Sequence, residues 1–547
     1  MISRRDILKL FGVAGAASAV GTEEAQAQSS GALTVTILHT NDTHDRLDPT
    51  TYTGKDAAGK DFRVQYGGVA RIKSAIDTLK AGAINPIVLD AGDVFTGTIF
   101  GMIYKGLADL AYMEAFGVQA QTIGNHEFDG GTAQLADYLK NATFPVVSTN
   151  IDASAEPALK DLIKKSTILE VGGQKVGIVG ATTTDTPITS SPGDKVKFLD
   201  PRTTVQAEVD RLRASGVTKI IMLSHLGYSK DIVLATQLRG VGVIVGGHSH
   251  TPLGKYEGNG LPASEGNYPT VLKDANGKSI LVLQTWEWGK FYGSMRITFT
   301  ADGVPQFWKG MPVPVTENFK ADPRLAATLR AFTIPIDGFR RNVVGTAAVR
   351  LNGDRADVRK RETNLSNLIA DANLWKTRSY GTTISLQNGG GVRASIEAGQ
   401  VTQGQLIDVQ PFGNTLFVMD LTGAEIRAAL ENGVSQWEAG AGRFAHVSGL
   451  RYTFDLAQKA GSRVSKVEVG TAKDGFVALD DSKVFKIVTN NFVAAGGDGF
   501  DSLKNAKGAK LDTYLPDYSV MTEYFQFLKT VDAKVEGRIT ILNEPKA

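Results

Sequence analysis

Six of the chain's seven histidines fall within its first 250 residues. Each lies at or just beyond the end of an apolar run that reads as a strand. In chain order the segments are His39-Thr40-Asn41-Asp42-Thr43-His44, Asp90-Ala91-Gly92-Asp93, Gly124-Asn125-His126-Glu127-Phe128-Asp129, Ser224-His225 and Gly246-Gly247-His248-Ser249-His250. Each presents carboxylate, amide or imidazole groups on a loop, and neighbouring glycines let the backbone turn sharply or come close to another group. Hard oxygens mixed with imidazoles suit divalent zinc or manganese better than copper or an iron–sulfur centre. Two ions sharing one site need a bridging ligand. A carboxylate bridges where an imidazole does not readily do so, and Asp93 is the natural bridge. A lone histidine at a strand end is more often structural than a ligand; five such segments in succession point to a two-metal site.

Short apolar runs must position these loops. Thr34–Leu38, Pro86–Leu89, Ala120–Ile123, Phe144–Val147, Val176–Val179, Lys219–Leu223 and Val241–Val245 read as buried strands. Helical patterns such as Gly68–Leu79 and Thr132–Leu139 lie between them. This alternation predicts a layered α/β domain over residues 33–317, in which sites form beyond the carboxyl ends of the strands. Residues 318–341 carry Pro323, a helical pattern through Leu325–Phe332 and then Pro335, and read as a linker containing one helix. Residues 342–547 form a second domain of mixed strands and helices. Its most regular strands are Thr382–Leu386 and Val484–Val488, and its helix Gly423–Asn432 has Thr422 as N-cap.

A chain of 547 residues is too long for one core and predicts two sizeable domains. A formal net charge of +2 offers no basic excess for a nucleic-acid polymer. The absence of cysteine excludes disulfides, zinc–thiolate sites and cysteine nucleophiles. Residues 1–27 read as an export signal: Arg4-Arg5, the apolar run Leu10–Val20, and a small-residue cleavage site at Ala25-Gln26-Ala27. The twin arginine resembles a Tat signal; Ile7 stands where such signals usually carry Phe, so a Sec signal is the alternative. The apolar run is too short to persist as a membrane span, and no second stretch of that length follows. The mature chain is expected to begin near Gln28, without a membrane span, in the periplasm or secreted.

The motifs Asn41-Asp42-Thr43-His44, Gly92-Asp93, Gly124-Asn125-His126-Glu127, Ser224-His225 and Gly247-His248-Ser249-His250 resemble those of the calcineurin-like metallophosphoesterases, and specifically the 5′-nucleotidase family. The resemblance implies a four-layer α/β/β/α metal domain joined by a linker helix to a second, mixed α/β substrate-binding domain. It implies one ion on Asp42, His44, Asp93 and His250, and another on Asp93, Asn125, His225 and His248. Family members commonly carry Asn or Gln where this chain has His250. His126 is implied as the catalytic histidine and Asp129 as the group orienting it. A cationic imidazole there would stabilise charge on phosphoryl oxygens. Glu127 and His39 are expected to hold the loops.

The second domain carries substrate choice. Asn388-Gly389-Gly390-Gly391-Val392-Arg393 permits close backbone approach and adds a guanidinium fork matched to phosphate. Phe412, in Pro411-Phe412-Gly413-Asn414, and Phe492, six residues before Asp498, are able to sandwich a nucleobase; the plainer fate of Phe is a core position. These segments resemble the 5′-nucleotidase C-terminal domain. The resemblance implies Phe412 and Phe492 as a base clamp, Asn388 on the base, Asp498 on the ribose, Arg393 at the phosphate, and Arg359 as a further substrate arginine, with Arg361 beside it. The implied activity is phosphate release from nucleotides by metal-activated water, with UDP-sugars and 2′,3′-cyclic nucleotides as further substrates. The alternatives are a thiosulfohydrolase acting on a carrier-bound sulfonate, for which a base clamp has no use, and a non-catalytic binding module, which would not need His126.

Overall fold

The computed structural model describes residues 31–545 apart from 56–58, 257, 259–260 and 472–474. The export signal expected over residues 1–27 lies outside the described residues. Two compact units are formed. One runs to Thr96 and resumes over Ile103–Ile334; the other comprises Gly97–Met102 and the chain from Pro335 onward.

The first unit contains two six-stranded sheets. In one, Leu33–Thr40, Pro86–Asp90, Ala120–Thr122 and Val146–Val147 run parallel, and Phe291–Phe299 and Pro305–Pro314 close the edge antiparallel. In the other, Gln174–Thr182, Lys219–His225, Val243–Gly246 and Ser279–Leu283 run parallel, with Ser166–Val171 and Thr270–Lys273 antiparallel at the two edges. Alternate residues of the two sheets meet in one core: Val35, Ile37 and Leu89 from the first, and Ile178, Ile221 and Val245 from the second. The second sheet's other face, through Val179, Met222 and Ile244, packs on Val205, Val209 and Leu234 of helices Pro201–Ala214 and Tyr228–Gln237. Helix Val69–Ala81 covers the first sheet at Phe291–Phe299 and packs against helix Leu107–Phe116. The result is the four-layer α/β/β/α arrangement. Strands buried on both faces are why the sequence shows near-continuous apolar runs.

All seven expected strands form, with shifted ends. Phe144–Val147 shortens to Val146–Val147, because Pro145 has no N–H for a ladder. The antiparallel strands Ser166–Val171, Phe291–Phe299 and Pro305–Pro314 do not follow from apolar runs; they are partly exposed or broken by Gly, Ser and Arg. The helix expected in residues 318–341 is Pro323–Thr333. Asp322 caps it, its Oδ1 accepting from Arg324 N and Leu325 N at 2.9 Å each. It packs against Val69–Ala81 within the first unit.

The second unit builds a five-stranded sheet in the order Ala445–Ser448, Ile384–Asn388, Val484–Asn490, Thr415–Thr422 and Lys510–Pro516. Helix Asn364–Thr377 packs on its Ile384–Asn388 strand. Helix Gly423–Val434 starts with a reciprocal capping box: Thr422 Oγ1 accepts from Glu425 N at 3.2 Å, and Glu425 Oε2 accepts from Thr422 N at 2.8 Å. Replacing Thr422 with Ala removes one of these bonds and is expected to cost about 1 kcal/mol, measured as a lower denaturation midpoint with unchanged slope.

Candidate active site

The expected ligands converge where the parallel strands of both sheets end. Five of the seven, Asp42, His44, Asp93, His248 and His250, have φ between 48° and 74°, a region that non-glycine residues rarely adopt and that concentrates at functional sites. Three groups have ligand atoms within 4.8 Å of one another: Asp42, His44 and His250; His44, Asp93 and His126; and Asp93, His225 and His248. The first group holds three of the residues that the resemblance assigns to one ion, and the third holds three of those it assigns to the other. Asp93 connects them, with Oδ2 at 2.9 Å from His225 Nε2 and 3.9 Å from His44 Nε2. Asn125 joins the third group, its Oδ1 lying 2.9 Å from His248 Nδ1.

The tautomers are fixed from behind. His44 Nδ1 donates to Thr96 O at 2.8 Å, His225 Nδ1 to Ala91 O at 2.7 Å, and His250 Nδ1 to Glu287 Oε2 at 2.5 Å. Each ring is left with Nε2 facing inward, the nitrogen that a metal-bound histidine of this kind presents once it carries no proton. His44 Nε2 and His250 Nε2 are then two acceptors 3.1 Å apart, with Asp42 Oδ1 3.2 Å from the latter. Converging lone pairs of this kind fit a cation, and carboxylate, amide and imidazole donors fit a divalent one.

His126 also belongs to one of the three groups, but its Nδ1 is tied to Asp129 Oδ2 at 2.6 Å. Ser190 Oγ holds the other Asp129 oxygen at 2.6 Å. Glu127 is buried and accepts from Asp93 N, Val94 N and Gly124 N at 3.1, 2.7 and 2.5 Å, locking two ligand loops together. Burial and the nearby Asp93 push its carboxyl up to about 7. His39 is buried beneath Tyr268, with Nε2 2.8 Å from the phenolic oxygen, and burial alone lowers its pKa to about 3. Glu127 therefore holds the ligand loops, whereas His39 ties its strand end to Tyr268.

In the second unit, Asn388 Nδ2 donates to Asp498 Oδ2 at 2.6 Å, and Asn490 Nδ2 donates to Asn388 Oδ1 at 3.0 Å. Asp498 sits at φ 56°. The guanidinium of Arg393 lies 5.6 Å from the centre of the Phe412 ring. Phe492 is partly buried against the core, and a Cβ on Gly497 would come within 2.5 Å of its ring. Arg359 Nη1 donates to Gly440 O at 3.4 Å. Arg361 pairs instead with Glu544 at 3.1 Å and Asp357 at 3.7 Å.

Residues 35–252 match the calcineurin-like phosphoesterase family model, and residues 343–505 match the 5′-nucleotidase C-terminal domain. The chain is 38% identical over 523 residues to a 5′-nucleotidase of Diplobatis ommata, covering 92% of this chain and 89% of that one. The chain belongs to the 5′-nucleotidase family. It is a phosphoric ester hydrolase of the metallophosphoesterase class. The crystal structure of a 5′-nucleotidase precursor from Thermus thermophilus is 51% identical and superposes with a TM-score of 0.90, covering 94% of this chain and all of that one. A sulfate thiohydrolase of Thermus thermophilus has a TM-score of 0.73 at 19% identity, over 93% of this chain and 97% of its own, so the likeness is one of fold.

The supports of this 5′-nucleotidase-family site were only partly legible. Ser190 and Glu287 lie outside the motifs, and Asp90 opens one of them with no role that its position alone assigns. Asp90 Oδ1 accepts from Gly92 N at 3.0 Å and so shapes the turn before Asp93. Glu287 carried a usable signal, an acid between two tryptophans just beyond a buried strand. Two outcomes follow from the geometry. A Cβ on Gly124 would lie 2.1 Å from Asp93 Oδ1, so Gly124→Ala is expected to displace that carboxylate. Zinc retained after dialysis should fall while circular dichroism stays near wild type. The second concerns pH. Burial pushes Asp93 up, but His225, His126 and His44 together outweigh it and hold the carboxyl well below its usual range. Burial lowers His225, yet Asp93 raises it overall to about 10. The metal-free protein therefore holds a proton on His225 that a cation must displace. Zinc affinity should rise with pH from 6.5 to 8, approaching about tenfold per unit, with proton release seen by calorimetry in buffers of different ionisation enthalpy.

Proposed function

We propose that this protein releases phosphate from nucleotides, 5′-nucleoside monophosphates foremost, with UDP-sugars and 2′,3′-cyclic nucleotides as further substrates. The observation that carries the reading is Asp93, one buried carboxylate linking two groups of ligands, in a chain whose second unit joins Asn388 to Asp498 at a strand end. Zinc or manganese is the proposed pair of ions, which when bound would activate water and neutralise charge on the phosphoryl group. Asp42, His44, Asp93 and His250 would hold one, and Asp93, Asn125, His225 and His248 the other. His126, held at Nδ1 by Asp129, presents its other nitrogen to the phosphoryl oxygens and stabilises their charge.

Phe412 and Phe492 stack on the base, Asn388 contacts its edge, Asp498 accepts from the ribose hydroxyls, and Arg359 and Arg393 bind phosphate. In this reading residues 33–317 are the phosphoesterase domain, 318–341 the linker and 342–547 the nucleotide-binding domain. The first 27 residues direct export through the Tat route, with Sec as the alternative. No helix among the described residues is long and apolar enough to cross a membrane.

The deciding measurement is phosphate release from AMP and other nucleotides by metal-stripped protein given back single metals. Asp93→Ala is expected to lose more than about a hundredfold in turnover, beyond what loss of a supporting residue costs. Wild-type rates in that variant, or no phosphate release from any nucleotide with any metal, would sink the reading. Phe412→Ala and Phe492→Ala should each weaken nucleotide binding by about 1–3 kcal/mol, read as a higher KM for AMP with little change for a base-free phosphate ester. Equal effects on both substrates would remove the clamp.

A further inference from the structure

Two ligands assigned to one ion rest on a loop that none of the ligand motifs contains. Residues 284–290 follow strand Ser279–Leu283. The Trp286 carbonyl accepts from Asn41 Nδ2 at 2.8 Å, and that same nitrogen donates to Asp42 Oδ2 at 2.7 Å. Trp288 N donates to Asp42 O at 2.8 Å. Between the two tryptophans, Glu287 Oε2 accepts from His250 Nδ1 at 2.5 Å. Trp286 and Trp288 take φ values of 55° and 60°, a conformation that persists only where the surroundings enforce it.

Lys290 supplies the enforcement. Its ammonium lies 2.6 Å from Glu287 Oε1, and 3.9, 3.8 and 5.3 Å from the ring centres of Trp286, Trp288 and Tyr52. Its side chain is 0% exposed. Aromatic faces attract a cation, the more so when it is desolvated. A buried ion pair is nevertheless poor value for stability, since apolar residues of the same volume often serve as well or better. What the pair does provide is a carboxylate with both oxygens committed: Oε1 to Lys290 and Oε2 to His250.

We propose that Glu287, clamped by Lys290 in its box of aromatic rings, is the positioning residue that makes His250 a metal ligand. The inference rests on the two-metal reading above. By accepting the hydrogen bond from His250 Nδ1–H, Glu287 leaves the His250 Nε2 lone pair directed towards Asp42 Oδ1 and His44 Nε2. The affinity for one ion is thereby set by a side chain 37 residues away in sequence, while the ion on Asn125, His225 and His248 does not depend on it.

Equilibrium dialysis of the metal-stripped full chain against buffered zinc tests this, counting ions per chain, with circular dichroism to follow folding. Wild type is expected to bind two. In Glu287→Ala one ion should bind with unchanged affinity and the other about 10–100-fold more weakly. Glu287→Gln, whose amide oxygen can still accept from Nδ1, should show a smaller loss at the same ion, and Lys290→Met should also weaken that ion alone. Should Glu287→Ala fold poorly, Glu287→Gln carries the comparison. Wild-type affinity at both ions in a folded Glu287 variant overturns the inference, as does an equal loss at both. A wild-type chain that takes up fewer than two zinc ions overturns the two-metal reading itself.

Discussion

The Asp93 carboxylate is the constraint on which the site depends. It is 1% exposed, faces His225 and His44 through one oxygen, and accepts from His126 N at 2.9 Å through the other. Its own N–H is held by Glu127. A group so placed must sit where loops from both sheets can reach it, because His44 follows a strand of the first sheet and His225 ends a strand of the second. The shared core fixes the sheets against each other, and with them the spacing of imidazoles around one carboxylate. Gly124 is small because this carboxylate occupies the space its side chain would need.

The ligand loops are held in an unfavourable backbone conformation. Left-handed φ at Asp42, His44, Asp93, His248 and His250 costs about 1–3 kcal/mol per residue. Buried acceptors and donors behind the loops offset that cost. Glu127 gathers the N–H groups beside Asp93 and Gly124, Asn41 ties Asp42 to the Trp286 carbonyl, and Glu287 receives His250. Each of these groups lies deep enough that its hydrogen bonds have no competition from water, which is what makes them effective as fixtures.

The second unit uses the same principle with different chemistry. Asn388 ends a buried strand and is fastened on both sides, by Asp498 and by Asn490. These are small polar groups at a strand terminus, beside a glycine run whose backbone can be approached closely. Arg393 and Phe412 lie next to each other as cation and ring, so the pair offers both a charge and an aromatic surface. Arg361, the neighbour of Arg359, is engaged in ion pairs with Asp357 and Glu544.

Much of this was legible in the chain. Continuous apolar runs located every parallel strand that carries a metal motif, since burial on both faces leaves no polar alternation to blur the signal. Histidines, aspartates and glycines at the ends of those runs named the ligand candidates, and a proline after Asp322 marked the start of a helix. The antiparallel strands Phe291–Phe299 and Pro305–Pro314 were not legible, because the first owes its place to a partner far away in sequence, Leu33–Thr40, and the second pairs on the first. The supports were hidden for the same reason. Nothing local says that Glu287 meets His250, that Ser190 meets Asp129, or that Lys290 is buried among aromatic rings. The sequence by itself determined which atoms are available to bind and react. The tertiary structure decided which nitrogen of His44, His225 and His250 faces inward, because that depends on a hydrogen bond from behind, to a carbonyl or carboxylate that only folding brings within reach.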